Sequence, residues 1–127
     1  MKKSYSLLFI LLALLPLKVM SQNSESQDST RSKLISVAKE IMASAGICAL
    51  TSLDQDGLPR ARPMDAFLPE NDMTVWFGTY VHSRKVTQIK EDPRVSLYYF
   101  DKNSGSYVLI QGKAELVDDP DEKQARW

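Results

Sequence analysis

The four residues Lys102-Asn-Ser-Gly105 constrain the fold of this chain more than any other stretch. They separate two runs rich in apolar and aromatic residues, Arg94 to Asp101 and Ser106 to Val117. A short polar turn ending in glycine between such runs is a strong hairpin signal. Similar punctuation recurs upstream. Asp54-Gln-Asp-Gly57 follows the apolar run Ile47 to Leu53, and Pro69-Glu-Asn-Asp72 divides Pro59 to Leu68 from Met73 to Gly78. Several short strands joined by tight turns favour a small antiparallel barrel over a parallel sheet, whose strands need long crossovers. The chain therefore reads as mainly β with flanking helices. Pro63 cannot donate to a ladder, so its strand is predicted at an edge or a bulge.

The helical signals lie around these strands. Ser29 or Thr30 can cap a helix whose stripe is Leu34, Ile35, Ala38, Ile41, Met42 and Ala45, with Gly46 as its stop. Ser83 to Glu91 is predicted helical, with Ser83 as cap and Val86 and Ile89 on one face, and Asp92-Pro93 ends it. Asp118-Asp119-Pro120 opens a last helix, and Trp127 follows before that helix is complete, so the domain is expected to continue past it.

Residues 1–21 read as a cleavable signal peptide. Lys2 and Lys3 form the positive start, Leu7 to Leu15 is a short apolar core broken by Pro16, and the cleavage point falls ahead of Gln22. A membrane span needs about 20 apolar residues, and Lys18 interrupts this run. The expected destination is secreted or periplasmic, without a stable membrane anchor. Residues 22–30 are polar and Ser-rich and read as a disordered linker, leaving 31–127 as one domain. Removing Lys2, Lys3 and Lys18 from the 16 basic residues leaves 13 against 16 acidic ones, a poor balance for a nucleic-acid partner. With one cysteine, Cys48, and one histidine, His82, neither an internal disulfide nor a recognisable metal site is expected. Cys48 lies in an apolar run and reads as a buried structural thiol.

One pattern carries chemistry. The hydrophobic run Val75-Trp-Phe ends in Gly78 and Thr79, and Ser83, Arg84 and Lys85 follow at a helix start. A phosphate dianion needs such charge-assisted donors beside a helix N-terminus. Arg60 and Arg62 alternate along an upstream strand and supply two further cations. Either pair alone also reads as solvated charge; together, in this order, they point to a phosphorylated ligand. Trp76, Phe77, Tyr98, Tyr99 and Phe100 read as barrel core, and His82 as an exposed loop residue.

The ordered set Asp56-Gly-Leu-Pro-Arg60-Ala-Arg62-Pro-Met64, Val75-Trp-Phe-Gly-Thr79, Ser83-Arg84-Lys85, Ile89, Asp92-Pro-Arg-Val-Ser-Leu-Tyr98 and Ile110-Gln-Gly-Lys-Ala-Glu115 resembles the pyridoxamine 5′-phosphate oxidase-like family of FMN-binding split barrels. The likeness runs from about Leu34 to Trp127 and is nearest the general-stress-protein branch, in which wording like Gln124-Ala-Arg-Trp127 also follows the last strand. It implies a six-stranded antiparallel Greek-key split barrel, a homodimer, and FMN in a cleft at the dimer interface. By position, Arg60, Ala61, Arg62, Pro63 and Met64 would line the flavin, Gly78 and Thr79 would reach the ribityl–phosphate region, and Ser83, Arg84 and Lys85 would hold the phosphate. Arg62 is the candidate cation beside the ring's pyrimidine edge.

Two positions depart from the oxidases of vitamin B6 metabolism. Asp65 stands where they usually place Lys, and Tyr107 where they often use Gln, so Tyr107 joins the candidate site. Residues that bind pyridoxine in those oxidases would lie beyond Trp127. The resemblance implies an exported FMN-dependent oxidoreductase working on a small redox partner. The alternatives are a flavin-binding stress protein without turnover, and a deazaflavin or haem in the same cleft. No acid, base or nucleophile stands out as catalytic.

Overall fold

The computed structural model describes the backbone of residues 6–126 and the side chains of 25–125. Lys2, Lys3 and Trp127, invoked above for the signal and the chain's continuation, lie outside the described residues. The chain divides into two units, one through Val37 and one from Ala38 onward. Helix α1, Ser6–Ala45, contributes to both. It runs through residues 22–30, where a disordered linker was expected. No glycine or proline interrupts the stretch from Gln22 to Ala45, so nothing in it breaks a helix. Thr30 is accordingly not a cap: its hydroxyl donates to the Ser26 carbonyl one turn earlier, at 2.8 Å. Gly46 does stop the helix. Its φ of 70° is a left-handed conformation, and its N–H donates to the Met42 carbonyl at 3.0 Å. Among the described residues no helix is long and apolar enough to cross a membrane.

The second unit is built on one antiparallel sheet. Its strands are β1 (Ile47–Leu53), β2 (Pro59–Asp65), β3 (Arg94–Asp101) and β4 (Ser106–Lys113), in the order β2-β1-β3-β4. Helix α2 (Arg84–Glu91) joins β2 to β3, and α3 (Pro120–Arg126) follows β4. Pro63 sits on the edge strand opposite Ala49, the kind of strand that tolerates a residue without an N–H. The turn after β3 is fixed by Asp101, which accepts from the Asn103 N–H at 3.1 Å and the Ser104 hydroxyl at 2.6 Å, with Gly105 at φ 69°.

Among the described residues four strands form the sheet, against the six expected. The difference lies partly in Met73 to Gly78, predicted as a strand. This segment bonds back on its own approach, with the Phe67 N–H donating to the Trp76 carbonyl at 3.0 Å and the Glu70 N–H to Thr74 at 2.9 Å. Met73, at a φ of 70°, donates its N–H to the Glu70 carbonyl at 3.1 Å and is the left-handed residue of this return's turn, so the segment pairs with its own approach and not with the four-stranded sheet. Its Met73, Val75 and Phe77 nonetheless pack against the core. The last strand is also shorter than predicted and ends at Lys113.

Register puts one sheet face inside. Cys48 and Leu50 of β1 pair with Tyr99 and Leu97 of β3, which pair in turn with Val108 and Ile110 of β4. Met42 of α1 closes this cluster. Burial pushes the Cys48 thiol up, as befits a structural cysteine. Tyr98, Phe100, Tyr107 and Leu109 point to the other face and are exposed.

Asp92 ends α2 and clasps the start of β3. Its carboxylate accepts from the Arg94 guanidinium, down to 2.6 Å, and from the Arg94 N–H at 3.1 Å, which holds its pKa at about 2. A depressed carboxyl stabilises the fold above its unfolded pKa, and that contribution is lost as pH falls through the folded value. A carboxyl-detected NMR titration should therefore show Asp92 titrating at about pH 2, and Arg94→Ala should raise its midpoint, though not fully to the ordinary value, because the main-chain N–H at position 94 still donates.

Candidate functional site

The candidate site forms where β1, β2 and α2 meet. The turn between the two strands is built on Asp54, whose Oδ1 accepts from the N–H groups of Asp56 at 3.0 Å and Leu58 at 2.9 Å, with Gly57 at φ 76°. The other oxygen, Oδ2, takes the Arg60 guanidinium through Nε and Nη2, both at 2.7 Å. Backbone and guanidinium bonds together lower the Asp54 pKa, with the Leu58 N–H as the largest cause. Arg60 is thereby committed to a carboxylate.

Arg62 is held differently. Two residues along β2 it points inward, and Nη1 donates to Ser52 Oγ at 2.8 Å while Nη2 donates to Gln88 Oε1 at 2.9 Å. The Ser52 hydroxyl donates to the same Gln88 oxygen at 2.7 Å. Ser52 lies on the buried phase of β1 with Cys48 and Leu50, at 1% exposure. Among the described residues Arg62 makes no ion pair. Burial lowers its pKa, and the Arg84 charge lowers it further. Arg62 and Arg84 are thus near enough for their charges to repel, and among the described residues neither makes an ion pair. Such a pair invites an anion.

Arg60, Ala61, Arg62 and Arg84 all line one open cleft of about 740 Å³, together with Thr87, Gln88 and Glu91 of α2 and residues of the Asp54 turn. The fold therefore brings the arginine strand and the basic helix start together. Other predicted members fall elsewhere. Met64 packs against the core and Pro63 turns to the other sheet face. Gly78, Thr79, Ser83 and Lys85 precede or begin α2 without lining this cleft. Ser83 occupies the cap position, yet its side chain makes no capping bond, and its Oγ lies 3.4 Å from Thr79 Oγ1. Tyr107 stands on the opposite sheet face, 62% exposed, with its ring 5.8 Å from that of Tyr98.

Sequence reasoning missed Ser52 and Gln88. A signal existed for both. Ser52 is a polar residue at a core phase, which needs a partner, and Gln88 follows Arg84 by four residues on one helix face. Among the described residues no cluster of three or more His, Cys, Asp or Glu could hold a metal ion.

A family model described as pyridoxamine 5′-phosphate oxidase matches residues 35–127. The chain belongs to this family. Solved structures agree on the fold of this pyridoxamine 5′-phosphate oxidase family member. It is similar to a Clostridium acetobutylicum protein related to general stress protein 26 of B. subtilis, with TM-score 0.67, 22% identity, and coverage of 76% of this chain and 68% of that one. It is also similar to an FMN-binding, pyridoxamine 5′-phosphate oxidase-related protein of Nostoc punctiforme, with TM-score 0.60, 21% identity, and coverage of 74% and 52%. A third is PhzG of Burkholderia lata, solved with tetrahydrophenazine-1-carboxylic acid, with TM-score 0.58, 19% identity, and coverage of 87% and 49%. This family member thus spans from about half to two thirds of the length of these proteins. No curated protein matches it.

Proposed function

We propose that this protein binds FMN and acts as an oxidoreductase on a small redox partner. The observation that carries the reading is the Arg62–Arg84 pair, two cations lining one cleft and, among the described residues, in no ion pair. Membership of the pyridoxamine 5′-phosphate oxidase family supports it, as does the Nostoc relative described as FMN-binding. The donor set fits the cofactor's phosphate, since planar guanidinium forks match a phosphate face and oppose its charge. Arg62 and Arg84 would hold that group, and Arg60 would join them on release from Asp54. In this reading Arg62 serves the phosphate and not the pyrimidine edge. Bound FMN supplies the electron transfer, and the protein's part is to bind, orient and tune it.

The exposed face with Tyr98, Phe100, Tyr107 and Leu109 is apolar enough to be covered by a second copy of the chain, which would make the protein a homodimer. Residues 1–21 would direct export, leaving Gln22 as the first residue of the mature protein.

Anaerobic addition of NADPH or NADH to the flavin-loaded protein, followed by reoxidation with candidate acceptors, tests the redox role. Bleaching of the flavin absorbance near 450 nm and its return are expected. A flavin that stays oxidised with every donor would leave a binding protein without turnover. Sedimentation of the same sample should give twice the mass of one chain, and a monomer would remove the dimer. N-terminal sequencing of the exported protein should start at Gln22.

A further inference from the structure

Among the described residues Arg62 is held by neutral groups alone. Ser52 Oγ and Gln88 Oε1 accept its two terminal nitrogens at 2.8 and 2.9 Å, and the Ser52 hydroxyl fixes the Gln88 amide from the other side at 2.7 Å. The three residues come from three elements, β1, β2 and α2, so the triangle locks the guanidinium in place against the sheet. Two other arginines are paired with acids: Arg60 meets Asp54 at 2.7 Å and Arg94 meets Asp92 at 2.6 Å. At position 88 a glutamate would reach Arg62 over the same number of bonds, and it would cancel the charge. The amide orients the guanidinium and leaves its charge intact.

We propose that Gln88 sets the cleft's selectivity for a phosphorylated ligand over its dephosphorylated counterpart, acting as a neutral positioning residue for Arg62. The inference rests on the cleft's role as a phosphate site. Ser52 serves in the same way, because its hydroxyl completes both contacts. Ligand phosphate then meets two cations that no carboxylate pairs among the described residues, Arg62 and Arg84, where an acid at position 88 would leave Arg84 alone to oppose it.

FMN and riboflavin differ only in the phosphate, so titrating both into the full-length protein isolates the effect. Wild type should bind FMN more tightly than riboflavin. Gln88→Glu should reduce that ratio about tenfold or more, the worth of one charge-assisted contact. Riboflavin affinity and melting temperature should stay at or above wild type, which loss of structure would not produce. Gln88→Met, neutral but without the acceptor, should fall between the two. Should Gln88→Glu fail to fold, Gln88→Met decides, with a lowered ratio supporting the proposal and an unchanged one overturning it. An unchanged ratio in Gln88→Glu, or a wild type that does not distinguish FMN from riboflavin, also overturns it while leaving flavin binding intact. A wild type that binds neither flavin overturns the proposed function instead. Inorganic phosphate then serves as the probe: a phosphate-induced rise in melting temperature that Gln88→Glu loses supports the role of Gln88, and no rise or an equal rise in both overturns it.

Discussion

Replacing Arg62 with alanine is expected to weaken FMN binding by about tenfold to 100-fold, the range of one or two hydrogen bonds from a charged donor. Stability should change little. The Ser52 hydroxyl keeps its bond to Gln88 Oε1, so no buried polar group of this triangle is stranded. Loss of Arg62 also removes its repulsion with Arg84. Binding and folding should therefore separate in this variant. Fluorescence titration with FMN and a urea melt on the same preparation check both. If affinity is unchanged, Arg62 does not face the ligand. If the protein unfolds, the guanidinium is a structural strut.

The second large effect is on stability. Leu97→Ala should cost about 2–5 kcal/mol, as large-to-small changes in packed cores do. Leu97 is buried on strand β3, between Leu50 of β1 and Ile110 of β4. No main-chain shift can refill the space without breaking register on both sides. Small domains are stable by only about 5–15 kcal/mol, so a large share of the total is at stake. The urea midpoint should fall with little change in slope. A loss below about 1 kcal/mol would mean that the site collapses around the truncated side chain, which interiors packed to crystal density resist.

Much of this architecture was legible in the sequence because local rules and the fold agree. All four strands and α2 carry their own alternation or stripe, and Gly46, Gly57 and Gly105 stand where a left-handed residue is needed. Pro63 announced its edge position. Where reasoning failed, tertiary effects decided. Met73 to Gly78 alternates like a strand, but it pairs back on its own approach, Phe67 to Glu70, and adds no strand to the four-stranded sheet. Residues 22–30 lack an apolar stripe, so nothing flagged them as helical, yet they contain no breaker either. Arg62 was visible as a cation, whereas the Ser52–Gln88 triangle exists only once β1 and α2 are packed together. Tyr107 was assigned from position in the family pattern. Its phase on β4, one residue out of step with Val108, sends it to the opposite face.

Calorimetric titration of FMN into the purified full-length protein tests the central claim most directly. Saturable binding at one FMN per chain, lost in Arg62→Ala, is the expected result. A protein that takes up no FMN, or that binds it equally without Arg62, would contradict a flavin-phosphate site at Arg62 and Arg84.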